Sequence, residues 1–60
     1  MMKGRVIWWN PKDGCGFIEI DGKDIFAHQI EEDSIELRDD LEIEFESIET
    51  KKGLFIRCIS

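Results

Sequence analysis

The chain has 60 residues, of which 42% are hydrophobic and 37% charged, and its formal net charge is −6 at pH 7. The hydrophobic share is too high for a disordered chain, and no apolar run approaches the roughly 20 residues that a membrane-spanning helix needs. We expect one domain over residues 1–60, with little room for an enclosed active site. The size therefore favours a surface-binding module over an enzyme, without a cofactor or a metal.

Cysteine content and the first residues indicate the compartment. Cys15 and Cys58 are too few for a disulfide-stapled mini-domain, which usually carries four or more cysteines. No apolar signal-peptide core follows Met1. We therefore expect a cytoplasmic protein with free thiols.

Several short segments are rich in β-branched and aromatic residues or alternate with the two-residue period of a strand. Turn signals separate them, and Asp21-Gly22 is the strongest, since this dipeptide favours a tight hairpin. The predicted strands are residues 5–10, 15–20, 24–28, 41–45 and 54–59. So many strands in a short chain leave few exposed edges only if the sheet closes. The pattern therefore predicts an all-β fold, a five-stranded antiparallel β-barrel of the OB type.

The stretch from residue 29 to residue 39 lacks this alternation. It is expected to be a longer connection with one helical turn, anchored inward by Ile30, Ile35 and Leu37. The acidic residues of segments 31–33 and 36–49 are expected on a solvated face. The alternative is that this acidic face docks a basic protein.

Aromatic side chains on the second and third strands are candidates for a binding surface. If the aliphatic residues of these strands face the core, alternation sends Phe17, Phe26 and His28 to the solvent side. Exposed flat rings on adjacent strands suit stacking against nucleobases, which contributes about 1–3 kcal/mol per base.

The first strand carries Trp8 and Trp9, and strict alternation sends one inward and the other outward. Parity alone groups Trp8 with Val6, which has the character of a core residue. The alternation therefore leaves open which tryptophan joins the other rings, and both are kept as candidates.

Catalytic and metal chemistry have little support. Cys15 and His28 share a predicted face, but a structural zinc site needs four ligands. A thiol nucleophile would need a third group to orient the histidine, and none is apparent. Cys58 is expected to be a small core or edge residue.

Three motifs, in matching order and spacing, resemble those of cold-shock domains. Residues 3–10 (KGRVIWWN) are similar to the family's opening KGxVKWFN, residues 14–18 (GCGFI) to its motif KGFGFI, and residues 25–28 (IFAH) to its motif VFVH. The resemblance covers nearly the whole chain. It implies a five-stranded barrel that binds single-stranded RNA or DNA through stacking, with little sequence preference.

The resemblance implies a set of binding residues. We name Trp8, Phe17, Phe26 and His28 the aromatic face, because these positions match the family's stacking residues. Lys52 matches the basic position of the last hairpin loop. The full candidate set is Trp8, Trp9, Asn10, Lys12, Phe17, Phe26, His28 and Lys52.

Other positions depart from the family pattern. Ile7 and Asp13 stand where the family has lysines, and Cys15 and Gln29 stand where it has aromatic residues. The connection after Gln29 is also shorter and lacks the family's loop phenylalanine. We therefore expect weaker binding than in typical members. The rival interpretation is a protein-interaction barrel that has lost nucleic-acid binding. The sequence leaves open whether the protein forms a homodimer and whether it prefers RNA or DNA.

Overall fold

A computed structural model describes residues 2–33 and 35–59. Over these residues the chain forms strands β1 (Met2–Asn10), β2 (Cys15–Ile20), β3 (Lys23–Gln29), β4 (Glu42–Thr50) and β5 (Gly53–Cys58). They close into a barrel in the order β1-β2-β3-β5-β4. The predicted five-stranded β-barrel is confirmed. Its pairings are antiparallel except between β3 and β5, which run parallel where the barrel closes.

The predicted strands agree best with the observed ones where one face of the strand is buried. Strand β2 has the predicted bounds, whereas β1 starts earlier, at Met2, and β4 continues to Thr50. The end of β4, from residue 46 to residue 50, is exposed throughout, so no hydrophobic alternation marks it. Backbone pairing with β5 holds this part of the strand instead.

The core is formed by the inward side chains of all five strands and one residue of the long connection. Its buried members are Val6, Trp9, Ile18, Ile20, Ala27, Leu37, Ile43, Phe45, Ile56 and Cys58. Phe45 is fully buried and has the largest of the completely enclosed side chains. Since the aliphatic residues of β2 and β3 face this core, the aromatic residues that alternate with them face outward.

The connection between β3 and β4 is held by side chains and does not contain the expected helical turn. Leu37 is 4% exposed, and Ile35 packs against the core, as predicted. No helical segment forms over residues 30–33 and 35–41. Instead, the Asp33 carboxylate accepts hydrogen bonds from the backbone N–H of Ile35 (3.1 Å) and of Cys58 (2.7 Å). This carboxylate therefore fastens the connection to β5 and pairs one backbone donor of the connection itself.

The β2–β3 hairpin turn has the predicted form. Asp21 and Gly22 both have positive φ, at 52° and 79°. Two consecutive positive φ values define the turn type that matches the twist of paired strands. This turn fixes the register of the hairpin that carries most of the aromatic face.

A β-bulge in β1 decides which tryptophan faces outward. Val6 pairs with Ile18, but Trp8 already pairs with Phe17, so one extra residue is inserted between them. The insertion reverses the parity that follows Val6. Trp8 is therefore 48% exposed, while Trp9 is 5% exposed and lies in the core.

Gly16 makes room for the bulge. A Cβ on this residue would lie 2.1 Å from the Trp8 carbonyl oxygen and 2.7 Å from the Cε3 atom of the Trp9 ring. Both atoms belong to groups fixed by strand pairing and core packing, so neither can retreat easily. Strand β1 can approach β2 this closely only because residue 16 has no side chain.

We expect Gly16→Ala to lower the free energy of unfolding by about 3 kcal/mol, since the added methyl group overpacks a fixed contact. Gly22→Ala is the matched control, because a Cβ there meets no atom within 4 Å and costs only backbone strain. That strain is about 1–2 kcal/mol. Urea unfolding followed by the fluorescence of buried Trp9 measures both values. Equal losses in the two variants would contradict the proposed close contact.

Candidate functional site

The outward side chains of neighbouring strands form rows across the barrel, because paired residues lie side by side. Arg5, Glu19 and Asp24 are paired in one charged row. The next row pairs Trp8 with Phe17 and Phe17 with Phe26. The last row joins Asn10, Cys15, His28, Phe55 and Ile48. Charged and aromatic side chains are thus separated along the strands.

Three rings of the aromatic face, those of Phe17, Phe26 and His28, lie in contact in a row. The centroids of Phe17 and Phe26 are 5.2 Å apart, and those of Phe26 and His28 are 5.1 Å apart. Both pairs meet edge to face, an arrangement that aromatic quadrupoles favour. Trp8, Phe17 and Phe26 are 48%, 41% and 43% exposed, so each presents much of its ring to solvent.

Phe55 is a member of this ring cluster that the sequence-based prediction missed. Its ring stacks on His28 with a centroid distance of 5.0 Å and an interplanar angle of 25°. The alternation in β5 contained the signal, since Ile56 and Cys58 have the character of core residues and so place Phe55 outward. The parallel pairing that brings Phe55 beside His28 left no comparable signal in the sequence.

The structure separates the candidates of β1. Trp8 lies on the surface with the other rings. Trp9 is a correction: its ring packs in the core against Gly16, and a buried ring has no face to offer a base. Asn10 shapes the β1–β2 turn, because its amide donates to Asp13 (2.8 Å) and accepts from the backbone N–H of Lys12 (3.2 Å).

Positive charge borders the rings in two turns. Lys12 is exposed in the β1–β2 turn, which leads into the row that contains His28. Lys52 is exposed in the β4–β5 turn. A Cβ on Gly53 would lie 4.0 Å from the His28 ring, so that turn runs beside the aromatic face. Within the described residues, neither lysine forms an ion pair, unlike Arg5 with Glu19 and Arg57 with Glu46.

The side chain of Gln29 stabilises the connection at the end of β3. Its Nε2 donates to the Ile35 carbonyl (2.7 Å), and the amide also hydrogen-bonds the Asp33 carboxylate. Partial burial acts to raise the pKa of Asp33, but the hydrogen bonds that its carboxylate accepts lower the pKa below its ordinary value. Gln29 is therefore engaged in holding the fold next to the aromatic face.

The two cysteines differ in their surroundings. Both are free thiols, with Cys15 half-buried and Cys58 buried. Burial, followed by the charge of Asp33 and a hydrogen bond to it, raises the pKa of Cys58 to about 12, so this thiol stays protonated at neutral pH. The described residues include no group of three or more acidic, histidine or cysteine side chains arranged to hold a metal. They also include no helix with the length and hydropathy of a membrane span.

The sequence is similar to those of known proteins. The model of the "'Cold-shock' DNA-binding domain" family matches residues 2–55. "Cold shock protein CspD" of Bacillus subtilis is 40% identical over 57 residues, covering 88% of this chain and 86% of that protein. "Cold shock-like protein CspC" of Bacillus cereus is 39% identical over 56 residues, covering 87% and 86%. "Cold shock protein CspA" of Staphylococcus haemolyticus is 39% identical over 57 residues, covering 88% and 86%. The match therefore includes every strand that carries the aromatic face.

We expect Asp33→Asn to lower the free energy of unfolding at pH 7 by about 1–3 kcal/mol, because a charged acceptor of backbone hydrogen bonds is lost. The pKa of Asp33 is lower in the folded than in the unfolded protein, where it is about 3.9. The ionised carboxylate therefore stabilises the fold fully above the unfolded pKa, and this stabilisation is lost as pH falls through the folded pKa. The difference between the wild type and Asp33→Asn should therefore shrink below about pH 4.

Urea unfolding at a series of pH values measures this difference. Glu32→Gln is the control, since Glu32 is an exposed neighbour in the same connection. A gap between wild type and Asp33→Asn that stays constant down to low pH would contradict the assigned role of the carboxylate.

Proposed function

The chain belongs to the "cold-shock" DNA-binding domain family, and on this premise we propose that it binds single-stranded nucleic acid by stacking unpaired bases on the aromatic face. The observation that carries the proposal is the row of rings in contact from Phe17 through Phe26 to His28, of which the two phenylalanines are exposed and His28 is half-buried. Such rings stabilise a bound strand whatever its bases, since every base has a π-face. The proposal is a reversible binding function without catalysis, as expected of an RNA chaperone or a single-strand binder.

Charge contributes less than stacking in this proposal. The net charge is −6, and Asp13 lies one residue from Lys12 in the turn beside the rings. Lys12 and Lys52 are the cations best placed to contact phosphates. Two phosphate contacts give a salt slope of only about −1.4 for a single strand. Binding should therefore be weaker than in a family member with more lysines at this surface.

The compartment and the oligomeric state are proposed on separate grounds. Free thiols at Cys15 and Cys58 fit a reducing compartment, so we assign the protein to the cytoplasm. We treat residues 1–60 as one domain. Homodimerisation, which would add stability to so small a domain, stays a prediction that sedimentation can check.

A second candidate is an interaction barrel for a basic protein. It is favoured by a groove beside the first half of β1, lined by Lys3, Gly4, Arg5, Glu19, Asp21, Gly22, Glu42, Ile43 and Glu44. The acidic residues of this lining outnumber the basic ones. A protein without nucleic-acid binding would use this acidic end of the barrel and leave the rings without a ligand.

Fluorescence titration with oligothymidylate at low salt distinguishes the two functions. We expect Trp8 emission to be quenched, because this ring is exposed and Trp9 is not. Phe17→Ala and Phe26→Ala should each weaken binding by roughly 5- to 150-fold, the equivalent of one lost stack. Trp9→Phe should preserve the quenching, and Trp8→Phe should remove it while Trp9 still reports folding.

Ile59→Ala is the control for the loss of exposed apolar surface, since Ile59 is 44% exposed and lies after β5. An unchanged Trp8 signal at every oligonucleotide concentration would exclude the proposed function and favour the interaction barrel.

We expect Lys52→Gln to make the salt dependence of binding shallower by about 0.7 in the log–log slope, because one phosphate contact disappears. Lys3→Gln removes the same charge at the acidic groove and should leave the slope unchanged. Titrations across a salt series measure both slopes. The same change in both variants would show that only net charge matters and that Lys52 makes no phosphate contact.

A further inference from the structure

We propose that Phe55 and His28 together form an additional base-binding position on the parallel pair β3–β5, which extends the aromatic face by one nucleotide onto the last strand. The ligand is an unpaired nucleobase of the same strand that stacks on Phe17 and Phe26. This inference rests on the proposed function and assigns a further contact residue to the same surface.

The geometry of the rings supports a distinct position. His28 and Phe55 are direct partners in the parallel ladder. Their rings are inclined by 25°, whereas Phe17–Phe26 and Phe26–His28 are inclined by 63° and 87°. Because the two rings are nearly parallel, a base could add to the pair as a further ring of an offset stack. The edge-to-face contacts nearer β2 present each ring separately.

The position of Phe55 excludes a role in the core. Leu54, Ile56 and Cys58 supply the inward contacts of β5, and Phe55 alternates with them. Across β4 its neighbour is Ile48, which is itself 43% exposed. Phe55 is therefore a half-buried residue of the outer surface, with its ring stacked on His28 and an exposed residue as its neighbour on β4.

The β4–β5 turn places positive charge beside this pair. Gly53 lies against the His28 ring, and the two residues before it are Lys51 and Lys52, both exposed. Arg57, the next outward residue of β5, is bound to Glu46 at 3.0 Å. A base stacked on Phe55 would thus leave its phosphate close to the lysine turn, where the local charge is positive.

The test is a series of oligothymidylates lengthened one nucleotide at a time, with Trp8 quenching as the readout. For the wild type we expect an extra gain in affinity at the length that reaches Phe55. Phe55→Leu should lose only that gain, roughly 5- to 150-fold, and bind shorter oligonucleotides like the wild type. Ile59→Leu is the matched control and should retain the gain.

A fluorescent reporter checks the position directly. In a Trp8→Phe background, Phe55→Trp should be quenched by the longer oligonucleotides and not by the shorter ones. A urea unfolding curve for each variant establishes that it is folded.

The outcomes are distinguishable. If the wild type binds but Phe55→Leu loses affinity equally at all lengths, Phe55 only holds His28 in place and the inference is wrong. If Phe55→Leu binds like the wild type at every length, Phe55 makes no contact, and the inference is also wrong. If the wild type binds no oligonucleotide, the proposed function itself fails, and this inference fails with it.

Discussion

The close approach of Gly16 to β1 is the contact on which the aromatic face depends. Without a side chain at Gly16, the carbonyl of Trp8 and the ring of Trp9 can lie directly over β2. On its other edge the same part of β1 is held by the Asp39 carboxylate, which accepts from the Trp9 N–H at 2.9 Å. The bulge is therefore fixed from both sides. One tryptophan completes the core and the other begins the row of rings because of this single irregularity.

The separation of charged and aromatic rows resolves the apparent conflict between an acidic chain and a nucleic-acid ligand. The charged row of Arg5, Glu19 and Asp24 lies farther along the strands than the rings. The barrel measures 24 × 22 × 19 Å, and exposed charges are largely screened beyond about 8 Å at physiological salt. The row of Arg5, Glu19 and Asp24 is only two residues, about 7 Å, from the rings and still acts there, whereas charges at the far end of the barrel are screened. Lys12 and Lys52 add positive charge in two turns beside the rings.

Alternation predicted most of the barrel and the outward positions of Phe17, Phe26 and His28. What it did not predict has physical causes. Wherever one face of a strand is buried, as for Phe17 and Phe26, the period of two placed the side chains correctly. It left the choice between Trp8 and Trp9 open, because a bulge changes parity and depends on a glycine on the neighbouring strand. In β5 it placed Phe55 outward, but it gave no sign that Phe55 lies beside His28, because a parallel pairing between strands distant in sequence is invisible to local patterns. The anchoring carboxylate of Asp33 was missed for the same reason, since its partner Cys58 lies on the last strand.

Gln29 and Phe55 have different surroundings at the end of β3. Gln29 follows His28 directly, yet its amide is engaged with the Ile35 carbonyl and the Asp33 carboxylate, so it closes the barrel end. A ring at this position would leave those polar groups without their partner and weaken the short connection. Phe55 reaches His28 from the neighbouring strand and disturbs none of these hydrogen bonds. The parallel pairing therefore lets the chain keep a tightly held connection and still place a ring beside His28.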